Sequence, residues 1–148
     1  LDRIYLDLCC LKRPFDDQRQ QRVRREAEAV TAIVERAEHG DFALVRSPAL
    51  LVENDANPRE DRRLATALWI NGAAVEAAHS EAVAARAREL GAVGFGPLDG
   101  LHVAYAEAVG ARWLVTCDDR LMELATRHAN RLRVRVVNPC DLSAEGRQ

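Results

Sequence analysis

The chain has 148 residues, enough for one domain with a substantial core, and carries a formal net charge of −2. Hydrophobic residues make up 48% and charged residues 30%, a balance that excludes intrinsic disorder, and no apolar run approaches the roughly 20 residues needed to cross a bilayer. A charge this close to neutral gives no global basic field of the kind that marks a nucleic-acid binder.

Taken in chain order, residues 3–8 read as a short buried strand ending near Leu8. Arg13-Pro14 and Asp16-Asp17 form a turn, with Asp16 or Asp17 as the cap of a helix over 18–38. In that helix Val23, Ala27, Val30, Ile33, Val34 and Ala37 recur at spacings of three and four, and Gly40 ends it. Residues 42–46 are a second strand. Ser47-Pro48 then starts a helix that ends around Asn57-Pro58, because serine supplies the capping oxygen and proline loses no needed N–H there. Further helices are expected over 60–71 and 74–90. A weak, glycine-rich third strand follows at 92–95, then a helix over 97–109 closed by Gly110. A fourth strand at 112–116, a helix over 118–129 and a last strand at 133–137 precede Pro139 and a polar tail. Strands alternating with helices imply right-handed crossovers and a parallel sheet covered on both faces. The expectation is a single domain over 1–148: a three-layer α/β/α fold with a central parallel sheet of about five strands.

In such sheets ligands bind beyond the carboxyl ends of the strands, so the polar residues at those ends carry the functional signal. Asp7 ends the first strand as an acid inside the otherwise apolar run from Ile4 to Leu11. Asp99 opens the helix after the expected third strand, and Asp118 and Asp119 follow the fourth directly. Glu53 lies in the second turn of the helix after the second strand, near the same edge. Two like charges about 4 Å apart repel by roughly 4 kcal/mol at an effective dielectric of about 20, so gathering these acids calls for a cation. A set of carboxylate oxygens suits Mg²⁺ or Mn²⁺ and not a soft metal, and such ions support phosphodiester hydrolysis.

The stretch from Leu98 to Asp118 resembles the C-terminal signature of PIN domains: an Asp-small-x-His start, an alanine-rich helix, Gly-Ala, a strand and Thr-x-Asp. Ile4-Tyr5-Leu6-Asp7 is similar to that family's opening strand and first acid, and Ser47 followed by Glu53 to its capped helix with the second acid. The resemblance implies a Mg²⁺- or Mn²⁺-dependent ribonuclease with Asp7, Glu53, Asp99 and Asp118 as metal-binding acids and Thr116 as an accessory hydroxyl. It also implies a VapC-like toxin with an RNA substrate, a cognate antitoxin and a homodimer. Two departures set the chain apart. Leu8-Cys9-Cys10-Leu11 stands where the usual toxins carry a small hydroxyl or amide residue, and Arg120 stands where many place another acid. Asp118 is therefore the expected ligand and Asp119 an outer partner.

His102, one helical turn after Asp99, reads as a core or supporting histidine, and His39, His79 and His128 as surface positions. Lys12 and Arg13 on the rim, extended by Arg19, Arg22, Arg24 and Arg25, are candidate phosphate contacts. Against that, Arg22 and Arg24 have Glu26 and Glu28 four residues on. All the cations but Lys12 are arginines, a bias that a GC-rich genome also produces. Trp69 and Trp113 read as core. The four cysteines, Cys9, Cys10, Cys117 and Cys140, form no C-x-x-C pair and have no histidine at zinc-ligand spacing. They read as reduced thiols of a cytoplasmic protein, with Cys9 and Cys10 on opposite faces of the first strand. No export leader precedes the first strand, and because the chain begins at Leu1 rather than Met, further residues are expected ahead of it. The alternative function is a non-catalytic PIN-fold module that binds RNA or protein, which loss of one of the acids would mark. A phosphatase or receiver domain is disfavoured, since Asp7-Leu8-Cys9 lacks the Asp-x-Asp of the first and the lone lysine, Lys12, stands far from where the second needs one.

Overall fold

The computed structural model describes residues 1–145. Five strands, β1 (Asp2–Leu6), β2 (Phe42–Arg46), β3 (Val75–Glu76), β4 (Trp113–Val115) and β5 (Arg135–Val137), form one parallel sheet in the order β3-β2-β1-β4-β5. β1 lies at the centre because it is apolar on both faces: Ile4, Tyr5 and Leu6 are all buried. Its register aligns Ile4 with Leu44 on one side and with Trp113 on the other, and Leu6 with Val115.

Among the described residues eight α-helices surround the sheet: α1 (Leu8–Lys12), α2 (Gln21–Glu38), α3 (Pro48–Asp55), α4 (Glu60–Asn71), α5 (Glu81–Ala92), α6 (Pro97–Ala108), α7 (Asp119–Arg127) and α8 (Pro139–Glu145). The pairs α2 with α8 and α5 with α6 make the most extensive helix contacts, and α3 packs on both α4 and α6. This is the expected three-layer α/β/α architecture over an aliphatic core. Among the described residues, no helix is long and apolar enough to cross a membrane.

The third strand is not where the apolar residues at 92–95 suggested. It is the two-residue β3, joined to β2 by the Val45–Val75 register and by the Ala77 amide donating to the Arg46 carbonyl (2.8 Å). The helix expected from 74 begins only at 81, where the Ser80 hydroxyl caps it by accepting from the Val83 amide. Residues 93–96 form the turn between α5 and α6. Gly94 supplies a φ of +114° there, and the Phe95 amide returns to the Leu90 carbonyl (3.1 Å). Phe95 is buried as the anchor of that turn, which accounts for its strand-like apolar context.

Smaller departures have local causes. β1 stops at Leu6 because the Asp7 side chain caps α1, so Cys9 and Cys10 lie on a helix and not on a strand. Asp17 does not cap α2. It accepts from the Arg19 amide in the preceding turn, and α2 begins at Gln21. The tail after Pro139 is helix α8, held by buried Leu142, and the tail residues 146–148 lie outside the described residues.

Candidate metal centre

From β1 the chain steps outward to β2 and β3, then crosses back over β1 to β4 and on to β5. The carboxyl ends of β1 and β4 therefore flank the point where the winding reverses, which opens a crevice at that edge. Asp7 and Thr116 are the first residues past these two strand ends. The Asp7 amide still donates to the Val115 carbonyl (2.9 Å) and the Thr116 amide to that of Val137 (2.9 Å), so the sheet ladder fixes both backbones.

The buried Asp7 carboxylate accepts from the Leu8 amide through Oδ1 (2.8 Å) and from the Thr116 hydroxyl through Oδ2 (2.8 Å). The Thr116 hydroxyl in turn accepts from the Asp118 amide (3.1 Å), so one side chain positions both acids. Asp118 caps α7, and both capping bonds, from the Arg120 and Leu121 amides, fall on Oδ1. Thr116→Val removes the donor to Asp7 and the acceptor for Asp118 at a fully buried position. The expected cost is about 1–3 kcal/mol by urea denaturation, and an unchanged midpoint would show that the hydroxyl holds neither acid.

Glu53, in the second turn of α3, is held by His102 on α6, with Glu53 Oε2 2.6 Å from His102 Nε2. On the other side of the ring His102 Nδ1 is 2.6 Å from the Tyr5 hydroxyl, which is 2.6 Å from the capping Ser47 hydroxyl. This buried relay ties α3, β1 and α6 together. His102 Nε2 also lies 3.7 Å from Asp7 Oδ1, and the ligand atoms of Asp7, Glu53 and His102 are all within 4.8 Å of one another. His102 is thus both a core histidine and a direct neighbour of the acids. Its spacing from Asp99 hinted at this, but the bond to Glu53 depends on how α3 packs against α6.

Asp99 is half-buried in the first turn of α6, and its carboxyl is pushed up to about 6. Burial is the main cause, followed by the charges of Asp7 and Asp118; Glu53 adds to the rise and His102 opposes it. All four acids named from the sequence therefore share one field. Asp99 reaches the edge by a different route from the one expected, through the turn after α5 and not after a strand. Burial, with the neighbouring charges of Cys9 and Glu53, pushes Asp7 up to about 7 against the opposing effects of His102 and Thr116. For His102, burial works downward, but the hydrogen bond to Glu53 and the charges of Asp7, Glu53 and Asp99 hold it above its ordinary value.

All three groups move in one direction. Each binds its proton more tightly folded than unfolded, so its stabilising contribution is complete below its unfolded value and drains away as pH rises. The window runs from about pH 4 upward through the folded values of about 6 for Asp99 and about 7 for Asp7, with His102 adding loss in the same direction. Metal-free protein melted across this window is expected to lose stability more steeply than its Asp99→Asn variant. Parallel curves would contradict the assignment.

Other candidates fall away from the centre. Asp119 is exposed and paired with Arg22 through a two-point contact (2.7 and 2.9 Å), so it is not an outer partner of the acids. Arg13 is engaged by buried Glu26 (2.9 Å) and by Asp16 (3.0 Å), and Arg19 by Asp17 (2.9 Å). These forks are used within the protein, which weakens the phosphate track suggested by the sequence.

The carboxylate oxygens of Asp7 and Glu53, gathered beside His102, are of the kind that suits a hard divalent cation. The structure itself speaks for the fit: the ligand atoms of Asp7, Glu53 and His102 lie within 4.8 Å of one another, and burial together with neighbouring charge pushes the Asp7 and Asp99 carboxyls upward.

No protein-family model matches the sequence, and a search of curated proteins finds no significant match. Solved structures do match: FitAcB from Neisseria gonorrhoeae at 18% identity and TM-score 0.55, over 92% of this chain and 97% of that one. VapBC2 from Rickettsia felis, bound to a DNA fragment from their promoter, matches at 12% identity and TM-score 0.57, over 92% and 98%. The chain shares with these structures the PIN-domain fold.

Proposed function

We propose that this chain is a ribonuclease dependent on Mg²⁺ or Mn²⁺, with Asp7, Glu53, Asp99 and Asp118 as the ligand set and Thr116 as the hydroxyl that positions Asp7 and Asp118. What supports the reading is the meeting of Asp7 and Glu53 beside His102, with ligand atoms within 4.8 Å of one another, and the charges of Asp7, Asp118 and Glu53 acting on Asp99. A divalent cation held by these residues would supply acidification of a water and charge stabilisation for phosphate oxygens. The protein's own part is alignment. The Leu8 amide and Thr116 hydroxyl fix the Asp7 oxygens, His102 holds Glu53, and the first turn of α7 orients Asp118.

The reading extends to a cytoplasmic toxin with a cognate antitoxin and a homodimeric state. Support comes from the likeness to VapBC2 and from exposed Val52, Leu64, Leu68 and Leu98 on α3, α4 and α6, an apolar set suited to covering by protein. The unpaired cysteines agree with a reducing compartment. The test is cleavage of mixed RNAs by the purified chain: activity with Mn²⁺, none with EDTA, and none from Glu53→Gln. Cleavage that persists in EDTA or in the variant, or no cleavage with Mn²⁺, would defeat the proposal.

A further inference from the structure

Beside the carboxylates lies a second cluster that the nuclease reading does not use. Cys9 and Cys10 stand in the first turn of α1, just after Asp7, and Cys117 stands just after Thr116. Because β1 and β4 are neighbours, the same switch point that gathers the acids also gathers these thiols. Their three sulfurs lie within 4.8 Å of one another, and Cys10 Sγ is 3.5 Å from Cys117 Sγ. On a strand, Cys9 and Cys10 would face opposite ways. The early start of α1 instead turns both sulfurs toward Cys117.

We propose that Cys9, Cys10 and Cys117 form a binding site for a thiophilic divalent cation of the Zn²⁺ or Cd²⁺ class, adjoining the carboxylate centre and distinct from it. Tetrahedral thiolate sites with metal–sulfur bonds of about 2.3 Å place their sulfurs about 3.8 Å apart. The cluster is within an ångström of that spacing, so occupancy requires side-chain adjustment and no rearrangement of the backbone. The Cys117 amide donates to Cys9 Sγ (3.2 Å), a bond that favours thiolate at that sulfur. Arg22 donates to the Cys117 carbonyl (3.0 Å), and the Arg13 guanidinium lies in the field of Cys117, so cations border a cluster that turns anionic when loaded.

Cys10 and Cys117 are buried while Cys9 is partly exposed, which gives entry from the Cys9 side. Near Cys9 Sγ stand Asp7 Oδ2 and Thr116 Oγ1, each at 3.4 Å, and the partly exposed Cys9 side leaves the fourth ligand position to solvent. Loading converts three thiols and one M²⁺ into a tris-thiolate complex of net charge −1 and releases three protons. No oxidant or reductant takes part. Sulfur donors select the soft ion and the carboxylate oxygens the hard one, which keeps the two sites chemically separate.

The test is a titration of the reduced full chain with Cd²⁺ alone, read by ultraviolet thiolate-to-metal charge-transfer absorption and by calorimetry. One Cd²⁺ per chain is expected, and Cd²⁺ displaces Zn²⁺ bound beforehand, because the softer ion is held more tightly by thiolates. Cys9→Ser, at the partly exposed position where folding is least at risk, is expected to weaken binding at least tenfold, and Cys10→Ser and Cys117→Ser likewise. Cys140→Ser, outside the cluster, leaves the band unchanged. No band, or a band of full strength in Cys9→Ser, or one that Cys140→Ser removes, would overturn the proposal. The site does not depend on the nuclease reading: an intact cadmium band in protein that fails to cleave RNA would count against the latter alone.

Discussion

Asp99→Asn is expected to lower Mn²⁺-dependent RNA cleavage by at least about a hundredfold and, in the same protein freed of metal, to raise the melting temperature. The activity loss follows because removing a direct carboxylate donor costs at least what outer-partner changes cost, about 10–100-fold in metal affinity. The stability gain follows from the folded carboxyl standing at about 6 against an ordinary 3.8: burial and the charges of Asp7 and Asp118 oppose its ionisation. A tenfold change in proton affinity corresponds to about 1.4 kcal/mol, and discounting for the solvent-facing side of Asp99 leaves a gain of about 1–2 kcal/mol, or roughly 3–6 °C. The gain belongs to pH values above about 6 and shrinks toward about pH 4, where the wild-type carboxyl is already neutral. A merely structural Asp99 gives the opposite pattern, unchanged cleavage with a lower melting temperature. Activity assays and metal-free melting curves on one preparation separate the two.

Arg13→Ala is expected to destabilise the fold by about 3 kcal/mol, as a fall in the urea midpoint. Glu26 on α2 is buried at 2% exposure and accepts from Arg13 Nε (2.9 Å) and from Asn138 Nδ2 (2.6 Å), with Arg22 Nε at 3.4 Å. This carboxylate links the turn after α1, helix α2 and the end of β5. Deleting one partner of a buried ion pair leaves a desolvated charge, at a cost of about 3–5 kcal/mol. Arg22 and Asn138 remain, so the expected value sits at the low end. An apolar double replacement, Arg13→Met with Glu26→Leu, is expected to recover much of the loss, since the penalty comes from the orphaned charge. A change within about 0.5 kcal/mol for Arg13→Ala would rank the contact with ordinary surface pairs.

Features written in short range were legible in the sequence. An aspartate ending an apolar run marked β1 and Asp7, Ser47-Pro48 marked the start of α3, and the stretch from Leu98 to Asp118 marked α6, β4 and the Thr116–Asp118 turn. What escaped depends on partners distant in the chain. β3 has two residues, too few for any period, and exists because Val75 finds Val45. Val93–Phe95 looks like a strand because Phe95 is buried, yet Gly94 and the cap on Leu90 make it a turn. The positions of Asp7, Asp99 and Asp118 at element starts were legible in the sequence, whereas the His102–Glu53 bond and the meeting of Cys9 and Cys10 with Cys117 arise only from packing.

Calorimetric titration of Mn²⁺ into the metal-free chain and its Asp7→Asn variant probes the carboxylate centre without reference to any substrate. Saturable binding by the wild type that the variant loses is the predicted result. Equal binding by both proteins, or none by the wild type at millimolar Mn²⁺, would contradict a metal centre built on Asp7.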